Sequence, residues 1–134
     1  MTFGTFDHFH PGHAFYLQEA LKHGNELVVV IARDENVKKI KGFYPDQNEQ
    51  MRLTEVQKQK FVNSVILGDL SSPYNVIQKI KPDVICLGYD QKGYSEQLSN
   101  FLKTEGLKTK VIRIESHKPE KYKSSLIRLK NQLN

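Results

Sequence analysis

The stretch from Thr2 to His13, Thr-Phe-Gly-Thr-Phe-Asp-His-Phe-His-Pro-Gly-His, constrains this chain more than any other. A short apolar run reaches a Gly-Thr turn, His10 and His13 flank Pro11 and Gly12, and a helical pattern begins at Ala14. Proline suits the first turn of a helix, where it has no N–H to lose and its fixed φ is already helical. Strand, turn and helix are therefore expected in immediate succession, with both histidines at the helix N-terminus. Unpaired backbone N–H groups and the positive end of the helix dipole gather at such a place, which suits phosphate. Two imidazoles there could add hydrogen bonds or positive charge to a reacting phosphoryl group.

The rest of the chain alternates between strand and helix patterns. Apolar residues at 14, 15, 17, 20 and 21 have helical spacing, and Gly24 reads as a C-terminal cap. Glu26 to Ala32 is a near-continuous β-branched run, as expected of a strand buried on both faces of a parallel sheet. Residues 33–50 are polar and read as one long loop, a length that is often functional. A helix follows from about Glu49 to Phe61, then a strand at Ser64 to Leu67, a helix from Pro73 to Ile80 and a strand at Asp83 to Leu87. A loop from Gly88 leads to a helix at Tyr94 to Thr104, a strand at Lys108 to Ile114, a basic loop and a last helix from about Ser124. The expectation is an α/β fold: a Rossmann-like three-layer sandwich around a five-stranded parallel sheet, in one domain covering residues 1–134. Ligands of such sheets bind at the carboxyl ends of the strands, where strand order reverses.

Composition narrows the function classes. Twenty Lys and Arg against fifteen Asp and Glu give a net charge of +5, which raises the question of nucleic acid. The lysines cluster after the second strand and near the end, no recognition motif accompanies them, and a small polyphosphate needs the same local excess. Nucleic acid is therefore not the expected partner. No apolar run is long enough to cross a membrane, no export leader is visible, and the single cysteine, Cys86, suits a reducing cytoplasm.

Other readings of the two histidines stand beside the phosphate one. His8, His10 and His13 could hold zinc, although no fourth ligand lies nearby; the pair could equally belong to an ordinary helix cap. Neither G-x-G-x-x-G nor G-x-x-x-x-G-K-[ST] occurs.

Gly4-Thr5-Phe6-Asp7 followed by His10-Pro11-Gly12-His13 resembles the cytidylyltransferase-like nucleotidyltransferases, whose H-x-G-H motif also occurs in the far larger class I aminoacyl-tRNA synthetases. Within that family, Ala32 to Gly42 and Leu87-Gly88-Tyr89-Asp90-Gln91 look like the matching stretches of archaeal-type FAD synthases. Glycerol-3-phosphate cytidylyltransferases are related, but their closing R-T-x-G-I-S-T-T is replaced here by a stretch from Arg113 that contains Ser124, Ser125 and Arg128.

The resemblance implies transfer of a nucleotidyl group from ATP or CTP to a phosphate-monoester acceptor, FMN or glycerol 3-phosphate, with release of pyrophosphate. His10, His13 and Lys41 would be catalytic. Gly4, Thr5, Phe6, Gly88, Asp90, Ser124, Ser125 and Arg128 would line the nucleotide, and Asp7, Lys39 and Arg52 would face the acceptor. Mg²⁺ would shield the triphosphate, without a dedicated protein cage for the metal. Homodimers are common among such enzymes. A nucleotide-binding sensor domain without turnover is the non-enzyme alternative.

Overall fold

The computed structural model describes residues 1–88, 91 and 94–115, with the backbone alone at 94 and 95. The elements are β1 (Thr2–Gly4), α1 (Pro11–Leu21), β2 (Val28–Ile31), α2 (Asp34–Lys41), α3 (Glu49–Gln57), β3 (Ser64–Leu67), α4 (Tyr74–Ile80), β4 (Val84–Gly88), α5 (Tyr94–Thr104) and β5 (Lys110–Ile114). The last helix expected from Ser124 lies outside the described residues.

The five strands form one parallel sheet in the order β3-β2-β1-β4-β5, as the alternating pattern predicts. Successive side chains of a strand point to opposite faces, and each face here has its own core. Val29, Ile31, Cys86 and Ile114 pack with Leu17 and Ala20 of α1 and Val56 of α3. Val30, Ile85 and Leu87 pack on the other side with Ile77 of α4 and Leu98 and Leu102 of α5. Burial on both faces is why β2 and β4 read as unbroken apolar runs rather than alternating ones. Strand order reverses between β1 and β4, so their carboxyl ends open the crevice in which such sheets bind ligands.

The loop expected over residues 33–50 contains a helix, α2. Asp34 and Glu35 lie in its first turn and Lys38, Lys39 and Lys41 in its last, which complements the helix dipole at both ends. Gly42 closes it in the left-handed conformation at φ 87°, its N–H donating to the Lys38 carbonyl at 2.8 Å. Only Val37 of this helix is buried, so no apolar stripe marks it in the sequence. Gly24 does not cap α1; that helix ends at Leu21 with Lys22 as a right-handed cap.

One buried cation joins these pieces. Arg52, in α3, is 0 % exposed. Its Nε donates to the Gln47 carbonyl at 3.0 Å and its Nη1 to the Thr5 carbonyl at 2.8 Å. Its Nη2 donates to the Ala32 carbonyl at 2.8 Å and to Asp34 Oδ1 at 2.7 Å. The guanidinium thus ties the exits of β1 and β2 to the start of α3. Around it, Glu49 accepts from Arg33 Nε at 3.0 Å and the Asp34 N–H at 2.9 Å, while Asp34 accepts the Glu49 N–H at 3.2 Å.

Removing one partner of a buried charge pair costs about 3–5 kcal/mol. Arg52→Met should lower unfolding stability on that scale in urea melts, and Arg52→Lys should recover little, because one ammonium cannot reach four acceptors spread around a planar fork. A loss under about 1 kcal/mol for Arg52→Met would refute the role.

Candidate active site

The turn after β1 is shaped by a packed aromatic ring. Phe6 takes a left-handed backbone at φ 55° and lies back over Gly4, where an added Cβ would sit 2.6 Å from Phe6 Cε2. Its buried ring meets His13 edge-on, with centroids 5.3 Å apart and planes at 74°. The His13 ring in turn stacks on His10, with centroids 3.7 Å apart. Packing therefore sets the imidazole pair before any ligand arrives.

Both histidines cap α1. His10 is the extended N-cap, and its Nδ1 accepts the Gly12 N–H at 3.0 Å; His13 Nδ1 accepts the His10 N–H at 3.2 Å. An imidazole nitrogen that accepts a hydrogen bond carries no proton, so the proton of each neutral ring sits on Nε2. The cap and phosphate readings are thus compatible: Nδ1 closes the helix, and ring geometry aims an Nε2–H donor the other way. The zinc reading loses its chemistry, since neither ring keeps an uncommitted lone pair in this tautomer. His8 Nε2 is turned to Asp46 Oδ2 at 2.8 Å instead.

The structure also corrects the expectation of unpaired backbone donors. Pro11 has no N–H, the Gly12 N–H goes to His10 Nδ1, and the His13 N–H goes to the His10 carbonyl at 2.9 Å. What reaches outward from the first helical turn is the imidazole edge.

Electrostatics fix the protonation state. Burial lowers the His10 pKa below the ordinary 6.5. Burial, then the His10 ring, then the Lys41 ammonium push His13 down to about 3. The pair is a set of neutral donors near neutral pH, and positive charge comes from Lys41, which lies close enough for its field to reach His13.

The other expected site residues fall into distinct groups. The Gly4 carbonyl accepts the Ala32 N–H at 2.9 Å, and the Thr5 carbonyl is taken by Arg52. Asp7 does not face outward as an acceptor ligand would: its carboxylate accepts the backbone N–H groups of Asp46 at 2.8 Å and Gln47 at 3.0 Å. Arg52 is likewise corrected from acceptor binding, since its donors are spent inside the fold. Lys39 is exposed on α2. Gly88 ends β4 at the reversal of strand order, its N–H bonded to Gln91 Oε1 at 2.8 Å and its carbonyl to Arg113 Nη1 at 2.7 Å. Asp90, Ser124, Ser125 and Arg128 lie outside the described residues.

Sequence reasoning missed Gln91 as a brace: its Nε2 donates to the Phe3 carbonyl at 3.0 Å, joining β1 to the end of β4 across the crevice. Nothing in local spacing could have shown this, because the partners are far apart in the chain. Asp7, His8 and Asp46 form the one group of three metal-type ligands among the described residues. Their atoms already bond to each other or to backbone N–H groups, so they do not make an oxygen cage for Mg²⁺.

The family model described as cytidylyltransferase-like matches residues 1–130. The chain belongs to the cytidylyltransferase-like family. A protein of Ferroglobus placidus named FAD synthase is 48% identical over 112 residues, 83% of this chain and 72% of that protein. Another so named, from Archaeoglobus profundus, is 43% identical over 91% of this chain and 77% of its own length. A solved structure described as a lipopolysaccharide core biosynthesis protein from Thermoplasma volcanium GSS1 superposes with a TM-score of 0.82 at 38% identity. It covers 87% of this chain and 95% of its own. Within this cytidylyltransferase-like chain, no helix among the described residues is long and apolar enough to cross a membrane.

The histidine state has a pH signature. The unfolded chain binds a proton at His13 near pH 6.5 that the folded chain refuses until about 3. This contribution to stability is complete above pH 6.5 and is lost as pH falls towards 3. The urea midpoint should therefore drop between pH 7.5 and 5. The drop should be smaller in His13→Asn, which cannot titrate but keeps an acceptor for the His10 N–H. Equal acid losses in the two proteins would refute the neutral-imidazole assignment.

Proposed function

We propose that this chain is a nucleotidyltransferase that moves AMP from ATP to FMN, giving FAD and pyrophosphate. The observation that carries the mechanism is the pair of Nε2–H donors preset at the mouth of α1, with the Lys41 charge beside them. The sequence likeness to proteins named FAD synthase over most of the chain supports the choice of substrates.

In this reading a phosphate oxygen of FMN attacks the α-phosphorus of ATP in line. The new P–O bond forms as the bond from the α-phosphorus to the bridging oxygen breaks, and that electron pair leaves with pyrophosphate. No covalent enzyme intermediate is required, so positioning and electrostatic stabilisation supply the catalysis. His10 and His13 donate to oxygens that gain charge in the transition state. Because both rings are already neutral, packed and tautomer-locked, little reorganisation is needed when charge moves. Lys41 draws the two anionic reactants together. A divalent metal such as Mg²⁺, when bound, would shield the charge of the triphosphate, and no group of described residues forms a dedicated cage for it. Asp90, Ser124, Ser125 and Arg128 are assigned to the nucleotide from their sequence positions.

Two measurements test this. In a grid of ATP and CTP against FMN and glycerol 3-phosphate, pyrophosphate should appear rapidly only with ATP and FMN. Turnover confined to CTP and glycerol 3-phosphate would overturn the substrate assignment, and nucleotide binding without pyrophosphate under any pairing would favour a sensor. His13→Asn keeps the cap acceptor but removes the Nε2 donor, so kcat should fall by roughly 10²–10³-fold while the protein stays folded. A loss below about threefold would remove His13 from the reaction.

A further inference from the structure

Ile40 and Phe43 are the two most exposed large apolar side chains among the described residues, at 75 % and 62 %. Single exposed apolar residues are ordinary, but these two belong to one short segment with Tyr44, which is 50 % exposed. That segment runs from the end of α2 to residues bonded to the turn after β1. Before it lies Lys41, whose field reaches His13. After it, the Asp46 and Gln47 N–H groups are fixed by Asp7, the His8 N–H donates to Gln47 Oε1 at 3.0 Å, and His8 Nε2 bonds Asp46. A chain two residues beyond Lys41 has its Cα within about 7.6 Å of it, so Phe43 lies between Lys41 and the residues that Asp7 and His8 tie to the turn after β1.

The two aromatic rings are not equivalent. The Tyr44 hydroxyl donates to the Glu35 carboxylate at 3.1 and 3.3 Å, and Lys38 Nζ sits 5.2 Å from the ring centroid. Tyr44 is thereby pinned along α2. No aromatic or cation contact engages Phe43 among the described residues. An exposed apolar ring two residues along the chain from a lysine is matched by a ligand with a flat, apolar-faced ring at one end and a phosphate at the other.

We infer that Phe43, flanked by Ile40, is the platform on which the isoalloxazine ring of the acceptor FMN stacks while its phosphate lies towards Lys41 and the histidines. The inference rests on the FMN reading above and adds a specificity-determining contact to it. Glycerol 3-phosphate carries no ring and would gain nothing from this ledge.

The test is steady-state FAD formation by the full chain carrying Phe43→Ala or Phe43→Tyr. Phe43→Ala should raise KM for FMN at least about tenfold, the scale of losing one stacking face, with kcat and the KM for ATP within about threefold of the parent. Phe43→Tyr should restore KM for FMN to within about threefold. The chain contains no tryptophan, so Phe43→Trp supplies a single reporter whose emission FMN should quench saturably and ATP alone should not. An unchanged KM for FMN in Phe43→Ala, within twofold, would overturn the platform while leaving the FAD reading intact. A KM change that tracks dissociation of a dimer in sedimentation would overturn it in favour of a second copy as the occupant. If the parent protein made no FAD, the functional reading would fail by itself. The Phe43→Trp titration would still decide the platform, since absent quenching by FMN sinks it.

Discussion

Four acceptors converge on the buried guanidinium of Arg52, and the geometry of the site depends on them. Desolvating a cation is costly, and an ion pair alone often fails to offset it. Here Asp34 supplies one counter-charge and the carbonyls of Thr5, Ala32 and Gln47 supply three oriented dipoles, so each of the three guanidinium nitrogens is engaged. The consequence is geometric as much as energetic. Thr5 follows β1, Ala32 follows β2, and Gln47 precedes α3, so one planar group sets the relative position of three loops at the carboxyl edge of the sheet. The turn after β1 and the loop bearing Phe43 are also bonded to each other directly, because Asp7 and His8 add their own bonds to residues 46 and 47.

On that frame the histidine pair works as an extension of the helix. The Gly12 N–H is taken by the His10 ring and the N-cap His10 N–H by the His13 ring, so a backbone dipole polarises each ring towards its Nε2–H. Hydrogen bonds that polarise one another in series are strengthened in a low-dielectric setting. Neutrality has a purpose in such an arrangement. Two stacked imidazolium rings would repel each other and Lys41, which is the same physics that lowers the His13 pKa. The division between neutral donors and one mobile cation lets directional bonds be fixed by packing while charge remains on a flexible arm.

The parallel sheet was legible because burial on both faces leaves an unmistakable apolar run in β2 and β4, and because Pro11 and Gly106 mark helix boundaries chemically. Gly106 does adopt the left-handed conformation at φ 66° that a helix terminator requires. The helix α2 was illegible for the opposite reason: it buries only Val37, and its order comes from end charges and the Gly42 cap rather than a stripe. His10 and His13 were legible as a pair, but their protonation was not. Tautomer and pKa follow from Nδ1 partners and ring packing, which spacing does not encode. Arg52 was misread because a sequence cannot distinguish a cation that meets solvent and phosphate from one whose donors are spent on carbonyls from three distant loops.

This arrangement separates what must stay constant from what can vary. The groups assigned to phosphorus chemistry hang from backbone bonds and buried rings, so altering them disturbs the helix start itself. The segment from Ile40 to Tyr44 contributes almost nothing to the core, and its two most exposed apolar side chains, Ile40 and Phe43, can change at little cost to folding. On the proposed reading, such a fold could exchange acceptors by substituting a few exposed residues without disturbing the turn after β1. The same logic explains why overall likeness transfers the reaction type more securely than the acceptor. In the proposed reading the reaction would rest on the paired imidazoles that the Arg52 and Asp7 bonds help to position, whereas the choice of acceptor would rest on exposed side chains such as Phe43.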